Sequence, residues 1–457
     1  MTGAVLLLLA LGLVEGGGRC ILNRTEEHCV CRELSEESVG SIVQCLPASV
    51  VEFWGGDLER YAALPIGDLQ PSAIEILESL SIRKLVFGDL LVPEVLLARV
   101  LKLFSYTQVQ ELVFESCTFM GSSNWDEMAG RNLPITTLRF RNVTAAPVTG
   151  HEQGFSSLSR WLESLQELAV TGSRVTALPC AVGRVFGALR SLDVAHNGLA
   201  DSGLAVAFCE GAFPQLRVLS LQRNNLTSYH GVCESLQLLH QLQHLDISQN
   251  RLRLTAHPTS SCQWPMSLQS LNLSHTGLDE MLTPLPPNLE VLDISCNHLR
   301  TLDISLGSLK TLLVSQNMLQ DISFLRNCPM LEVLYLDDNL VSELPWDELR
   351  LLGHLRDIGA AGNPYNCSCS GAAGIQRLAA TGHLGPAWPQ DYMCHSPPRY
   401  RDILVKDVSV SVLQCNRAAV IAPICVILGI LCVAGVVCLA RSKYRLFQAC
   451  RRAVKGP

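Results

Sequence analysis

Charge is scarce in this chain: only 17% of its 457 residues are Asp, Glu, Lys or Arg, and only 6% are aromatic. Disordered, collagen-like and nucleic-acid-binding chains each need a composition this one lacks. Catalytic signatures are missing as well. His151-Glu152-Gln153-Gly154 does not complete H-E-x-x-H, no G-x-S-x-G turn or phosphate-cradling glycine loop stands where one should, and the twelve His are scattered. The sequence therefore reads as a protein that binds rather than catalyses, with no cofactor and no metal expected. Two further absences fall at the ends. Residues 1–18 hold no Lys or Arg, and residues 417–457 hold no Asp or Glu.

The ends themselves are apolar. Val5 to Val14 is an apolar run of ten residues followed by Gly16, Gly17 and Gly18, the length of a signal-peptide core with small residues for cleavage, so residues 1–18 read as a signal peptide despite the missing basic start. Ala418 to Leu439 is 22 residues without a charge. At 1.5 Å per residue it is long enough to cross a hydrocarbon core of about 30 Å. Arg441, Lys443 and Arg445 follow at once. Positive charge after the span predicts a single-pass type I plasma-membrane protein, with an extracellular ectodomain, a transmembrane helix over 418–440 and a short basic cytoplasmic tail over 441–457. A glycolipid-anchor signal would need the apolar run to end the chain, and here basic residues continue past it. Cys438 and Cys450 are either palmitoylation sites or plain membrane-flanking thiols.

Charge is also distributed unevenly. Seven of the 35 Lys and Arg lie in residues 417–457; setting these and Glu15 aside leaves 28 basic against 41 acidic residues between 19 and 416, a net of −13. Fifteen of the nineteen Cys lie from Cys20 to Cys415, an odd number, so at least one outer thiol is free or intermolecular. The C-x-C pairs Cys29/Cys31 and Cys367/Cys369 read as half-cystines rather than metal ligands in a secreted setting. Sequons at Asn23, Asn142, Asn225, Asn272 and Asn366 support the same route.

What the chain has in abundance is a repeat. The pattern L-x-x-L-x-L-x-x-N-x-L is clear at Leu189 to Leu199 (LRSLDVAHNGL), Leu216, Leu242, Leu289 and Leu309, and weaker copies start at Ile82, Val109, Ile135, Leu165, Leu268, Leu331 and Leu355. Spacings of 20 to 30 residues between starts match a leucine-rich repeat. In L-x-L both leucines face the core from a short parallel strand, and the Asn side chain satisfies backbone groups where the chain turns away. Stacking predicts an α/β leucine-rich-repeat solenoid, a curved parallel sheet, over 82–362. Seven copies carry the Asn (Asn197, Asn224, Asn250, Asn297, Asn317, Asn339, Asn363). Cys117 and Thr276 replace it in two, Leu90 and Val143 in two more. Cys117 thus reads as buried and inert. Solenoid ends need caps: residues 19–81 with Cys20, Cys29, Cys31 and Cys45, and residues 363–416 with Cys367, Cys369, Cys394 and Cys415. Cys180/Cys209 and Cys233/Cys262 are placed to staple long loops. Cys117, Cys296 and Cys328 are left over.

Two surfaces could take a ligand. The outward positions of the central strands include Asp193, Asp246, Asn272 and Asp293, an acidic concave face that would repel an anion and suits a protein partner, as in an adhesion receptor. The N-terminal part differs: fourteen of twenty residues from Leu85 to Phe104 are apolar, Val86 and Val113 take outward positions, and Val95 to Phe104 reads as a helix with Arg99 and Lys102 on one face. That surplus is either a thick end core or a pocket lined with Phe53, Trp54 and Leu58 for acyl chains, with Arg60, Arg83, Lys84, Arg99 or Lys102 meeting an anionic headgroup.

Two family likenesses bear on this choice. The segment Asn363-Pro-Tyr-Asn-Cys-Ser-Cys369 resembles the C-terminal cap of Toll-like receptors, which implies the pairs Cys367 to Cys394 and Cys369 to Cys415. Val51-Glu-Phe-Trp-Gly-Gly-Asp-Leu58, SIRKLVFGDLLVPEVLLARVLKLFSYTQVQELVFE from Ser81 to Glu115, LRFRNVT at Leu138 and LNLSHTGL at Leu271 closely resemble the monocyte differentiation antigen 14 family of lipopolysaccharide co-receptors, over roughly residues 20 to 320. The resemblance implies a non-enzymatic pattern-recognition receptor. Its N-terminal hydrophobic pocket would take lipid A from a lipopolysaccharide-binding serum protein and pass it to a Toll-like receptor 4 complex. On the matching stretch the wall falls to Phe53, Leu58, Leu69, Leu85, Phe87, Val92, Leu96, Leu97 and Val100, and the resemblance favours the pocket over the thick core. Other acylated microbial ligands and a homodimer stay open. Two departures stand out: mammalian members are held by a glycolipid and lack this cap, whereas this chain adds repeats, a Toll-like cap and a span. A tail of 17 residues is expected to leave signalling to a partner.

Overall fold

The structure, a computed structural model, describes residues 20–34, 39–56, 71–121, 132–144, 162–253, 262–410 and 417–453. The signal-peptide reading, Cys415, Leu58, Arg60 and Leu69 lie outside these residues. Contacts divide the chain into two units, Met1–Asn339 with Leu352–Ile358, and Leu340–Leu351 with Gly359–Pro457.

The first unit is a leucine-rich-repeat solenoid, as the periodicity predicts. A hairpin of β1 (Cys20–Asn23) and β2 (His28–Leu34) starts it. The parallel strands β3 (Val50–Gly56), β4 (Lys84–Gly88), β6 (Glu111–Glu115), β8 (Thr137–Arg141) and β9 (Glu167–Thr171) follow, and then come strands of three residues from β10 (Ser191–Asp193) to β17 (Asp357–Gly359), fifteen strands in one sheet. Two short strands, β5 (Leu91–Pro93) and β7 (Thr118–Met120), pair separately. The register sets Leu192, Leu219, Leu245, Leu271, Leu292, Leu312 and Leu334 in one column, and each is 2% exposed or less. Burying one leucine is worth roughly 1.5–3 kcal/mol, so the column alone explains why short strands suffice.

Each turn closes the same way. The residue seven positions after each repeat start has positive φ: Asp89, Ser116, Asn142, Gly172, His196, Arg223, Gln249, His275, Cys296, Gln316, Asp338 and Gly362. The next residue is the ladder position. Asn317 is typical: its amide donates to the carbonyls of Ile294, Val314 and Ser315 while its Oδ1 accepts from Leu299 N–H at 3.0 Å. Where Asn is missing, smaller groups do part of the work. Thr276 Oγ1 donates to Leu273 O at 2.7 Å, Ser173 Oγ donates to Thr171 O and accepts from Val143 N–H, and the Cys117 thiol donates to Glu115 O. Cys117 is 1% exposed and burial pushes its thiol pKa up, as its inert reading requires.

Disulfides join Cys20 to Cys31, Cys29 to Cys45, Cys180 to Cys209 and Cys233 to Cys262. Cys117, Cys296 and Cys328, the three left over from the proposed pairs, are free. In the second unit, Cys367 bonds Cys394 and Cys369 is also disulfide-bonded. There Tyr365 stacks on Tyr392 at 5.7 Å between ring centroids, and Tyr392 Oη accepts from Ala360 N–H. Helix α2 (Cys369–Ala380) is capped by Ser368 Oγ, which accepts from Gly371 N–H. Helix α3 (Arg417–Ala453) contains a stretch, Ile421–Ala449, long and apolar enough to cross a membrane. The helix continues past the stretch read as the span, without interruption, to Ala453.

Candidate functional site

The second inward position of each repeat is Phe in the first three repeats (Phe87, Phe114, Phe140), with Phe53 standing before them in register, and aliphatic or Ala in the others. The four rings form one column: centroids are 5.4 Å apart from Phe53 to Phe87, 5.4 Å from Phe87 to Phe114 and 5.3 Å from Phe114 to Phe140, all stacked. Phe119 on β7 meets both Phe114 and Phe140 edge-on. Such pairs add to simple burial, so the column stiffens the N-terminal interior.

The column is not sealed along its length. Phe114 and Phe140 are each 2% exposed, whereas Phe53 and Phe87 are only half-buried. Aromatic surface therefore opens toward the first two strands, beside the disulfide-bonded Cys31, which stands in register with Phe53. Helix α1 (Glu94–Phe104) follows β5, with Pro93 at its cap position, Glu94 in its first turn and Lys102 in its last, charges that suit the helix dipole. Of the proposed wall, Leu85, Val92, Leu96 and Leu97 are buried, and Val100 is half-buried. Val95 and Leu91 stand exposed at 40% and 45%, surplus apolar surface in the stretch where the composition is richest.

Several residues are not where the sequence suggested. Strand alternation puts Trp54 and Lys84 on the sheet face opposite Phe53 and Phe87, so neither joins them at a pocket. Trp54 lies flat across Gly88, where a Cβ would run into its ring, and its indole N–H donates to Glu52 at 2.8 Å. Lys84 is bonded to Glu111 at 3.1 Å, and Arg139 reaches both Glu111 at 3.5 Å and Glu167 at 3.0 Å, an ion-pair ladder crossing four strands. Val86 and Val113 do face outward, but they are 6% and 3% exposed, in a register row between Glu52 and Arg139. They add no open apolar surface. Arg83 is exposed, and Arg99 and Lys102 are half-buried on α1.

The acidic row of the central strands also has a structural use. Asp193, Asp246, Asn272 and Asp293 each accept, through Oδ1, the backbone N–H two residues on. Asn272 further donates to Asp246 Oδ2 at 3.2 Å, so this sequon side chain is engaged on both sides. The D/N-x-S/A spacing was legible in the sequence, as was the run of Phe; the ion-pair ladder was not, because its members lie about 27 residues apart and only register brings them together.

Comparison with known proteins agrees with the repeat. A family described as "Leucine Rich repeat" matches residues 189–206, and one described as "Leucine Rich Repeat" matches residues 288–312. Toll-like receptor 2 of Macaca mulatta is 32% identical over 365 residues, 77% of this chain and 46% of that receptor. Toll-like receptor 2 of Mus musculus is 30% identical over 412 residues, 87% of this chain and 51% of that receptor. The chain thus spans about half the length of the curated relatives it matches. Among solved structures, the mouse RP105/MD-1 complex aligns with a TM-score of 0.47 at 20% identity, covering 79% of this chain and 63% of that one. Human 5T4 (Wnt-activated inhibitory factor 1, Trophoblast glycoprotein) aligns at 0.43 and 25% identity, covering 52% and 90%. The chain is a leucine-rich-repeat protein similar to Toll-like receptor 2. The likeness to the monocyte differentiation antigen 14 family rests on the residues quoted above.

Proposed function

We propose that this protein is a non-enzymatic cell-surface co-receptor of innate immunity. It binds the acyl chains of bacterial lipopolysaccharide at the half-buried end of the phenylalanine column, receives them from the lipopolysaccharide-binding serum protein and passes them to a Toll-like receptor 4 complex. The observation that carries the reading is the gradient along the column: identical rings are sealed at Phe114 and Phe140 and accessible at Phe53 and Phe87. Stacked rings with one open end offer a lipid chain apolar surface at little cost in protein rearrangement. The similarity to Toll-like receptor 2 supports a receptor role, and the monocyte differentiation antigen 14 likeness supports the ligand. Arg83 is the headgroup cation this reading favours, since Lys84 is held by Glu111 on the other face. The protein would sit in the plasma membrane as a single-pass type I chain with its repeats outside.

The test is binding of purified lipopolysaccharide to the ectodomain, residues 19–416, beside Phe53→Ala/Phe87→Ala. Leu97→Glu is a poor probe because Leu97 is 6% exposed and a carboxylate there would unfold α1. Half-buried rings can be trimmed with the fold intact, checked by circular dichroism and the thermal midpoint. Saturable binding weakened about tenfold or more in the double variant is expected, from the roughly 1.5–3 kcal/mol carried by a buried aromatic. No binding by the unmutated ectodomain, with the serum protein present, would sink the reading.

A protein-binding role for the outward sheet face is the second reading. Tyr335 favours it: the ring is 37% exposed and held by its hydroxyl donating to Asp357 at 2.7 Å, next to outward Leu313.

A further inference from the structure

Helix α3 is longer than a membrane requires. Its 37 residues extend about 55 Å at 1.5 Å per residue, against a hydrocarbon core of about 30 Å. The charge-free stretch 418–440 fills that core alone, and the helix then runs on from Arg441 to Ala453 without interruption. Continuity matters because it fixes which side chains share a face. At about 100° per residue, Arg441, Arg445 and Gln448 fall within an arc of roughly 60°, Tyr444 flanks that arc, and Leu446 and Phe447 lie on the other side. Tyr444, Leu446 and Phe447 are 64–65% exposed. Lys443 lies among them, on a stem long enough to carry its ammonium to the headgroup level. No carboxylate lies anywhere in residues 417–457 to neutralise these cations.

From this helical extension we infer a binding site for anionic phospholipid: Arg441, Lys443 and Arg445 take the phosphate and carboxylate groups of the leaflet into which α3 emerges, while Tyr444, Leu446 and Phe447 seat the helix at the interface. Positive charge flanking a span is common, but loose coil would not hold cations and aromatics at one depth. A continuous helix at the boundary places both at headgroup depth. The inference rests on the charge-free stretch 418–440 crossing the membrane, and not on which way the chain is oriented.

The experiment uses the full chain reconstituted into phosphatidylcholine vesicles doped with spin-labelled phosphatidylserine or spin-labelled phosphatidylcholine, reading the lipid fraction immobilised against the protein. Phosphatidylserine is expected to associate several-fold more strongly than phosphatidylcholine. In Arg441→Gln/Lys443→Gln/Arg445→Gln the preference should vanish, with phosphatidylcholine association unchanged. Equal association of both lipids with the unmutated chain, or a preference kept by the triple variant, would overturn the site. Inorganic phosphate that displaces phosphatidylserine better than chloride at equal ionic strength would make it a free-anion site and overturn the lipid assignment. Absence of immobilised lipid of either kind would remove the membrane span itself, and the inference with it.

Discussion

Asn317 makes four hydrogen bonds from one side chain, three to carbonyls and one from a backbone N–H. Alanine there would strand buried backbone groups that neither water nor neighbours can reach. Asn317→Ala is therefore expected to lower unfolding free energy by about 2–4 kcal/mol, read as a shift in the urea midpoint; an unchanged midpoint would mean the ladder is ornamental. The twelve left-handed residues carry a related lesson. Ten of them are not glycine, and they include His196, Arg223, Gln249 and Cys296, residue types that do not advertise positive φ. The ladder Asn is legible in the sequence because its chemistry is specific. The strained residue before it is not, because the surrounding hydrogen bonds impose its conformation.

At the scale of elements, the strands at the N-terminal end differ from the others in length and in filling. Each of β3, β4, β6, β8 and β9 has five or seven residues, against three from β10 onward. Their outward faces are tied by the Lys84–Glu111–Arg139–Glu167 ladder. Arg139 is its hinge, 34% exposed and shared between two carboxylates. Removing it in Arg139→Ala should cost only about 0.5–1 kcal/mol, and high salt should erase most of the difference from the unmutated chain, as for any partly exposed pair. A loss that is large and insensitive to salt would instead show that its aliphatic stem seals Val113. Helix α1 was anticipated within one residue from its apolar composition. Its neighbours across the sheet were not, since alternation sends Trp54 and Lys84 to the far face while a composition count treats them as local to Phe53 and Leu85.

For the molecule as a whole, the decisive prediction concerns the apolar helix. A chain ended after residue 416 should appear in the culture medium, while the full chain should stay with membranes through alkaline extraction; full-length protein freed by that wash would argue against a span. The odd count of cysteines before the apolar helix has its counterpart among the described residues, with free Cys117 and Cys328 buried and free Cys296 half-exposed.

Repeat period, strand direction, inward leucines, loop staples and the apolar helix were all written in the sequence, because each is a local pattern, and the repeat recurs until chance is excluded. The phenylalanine column was written there too, as Phe at the same position in successive repeats. Which of those rings stays accessible, which cations are already paired, and that Trp54 lies over Gly88 were decided only in three dimensions. Residues that alternate along a strand separate to opposite faces, and those some 27 positions apart become neighbours, so side-chain partnership follows register rather than sequence distance.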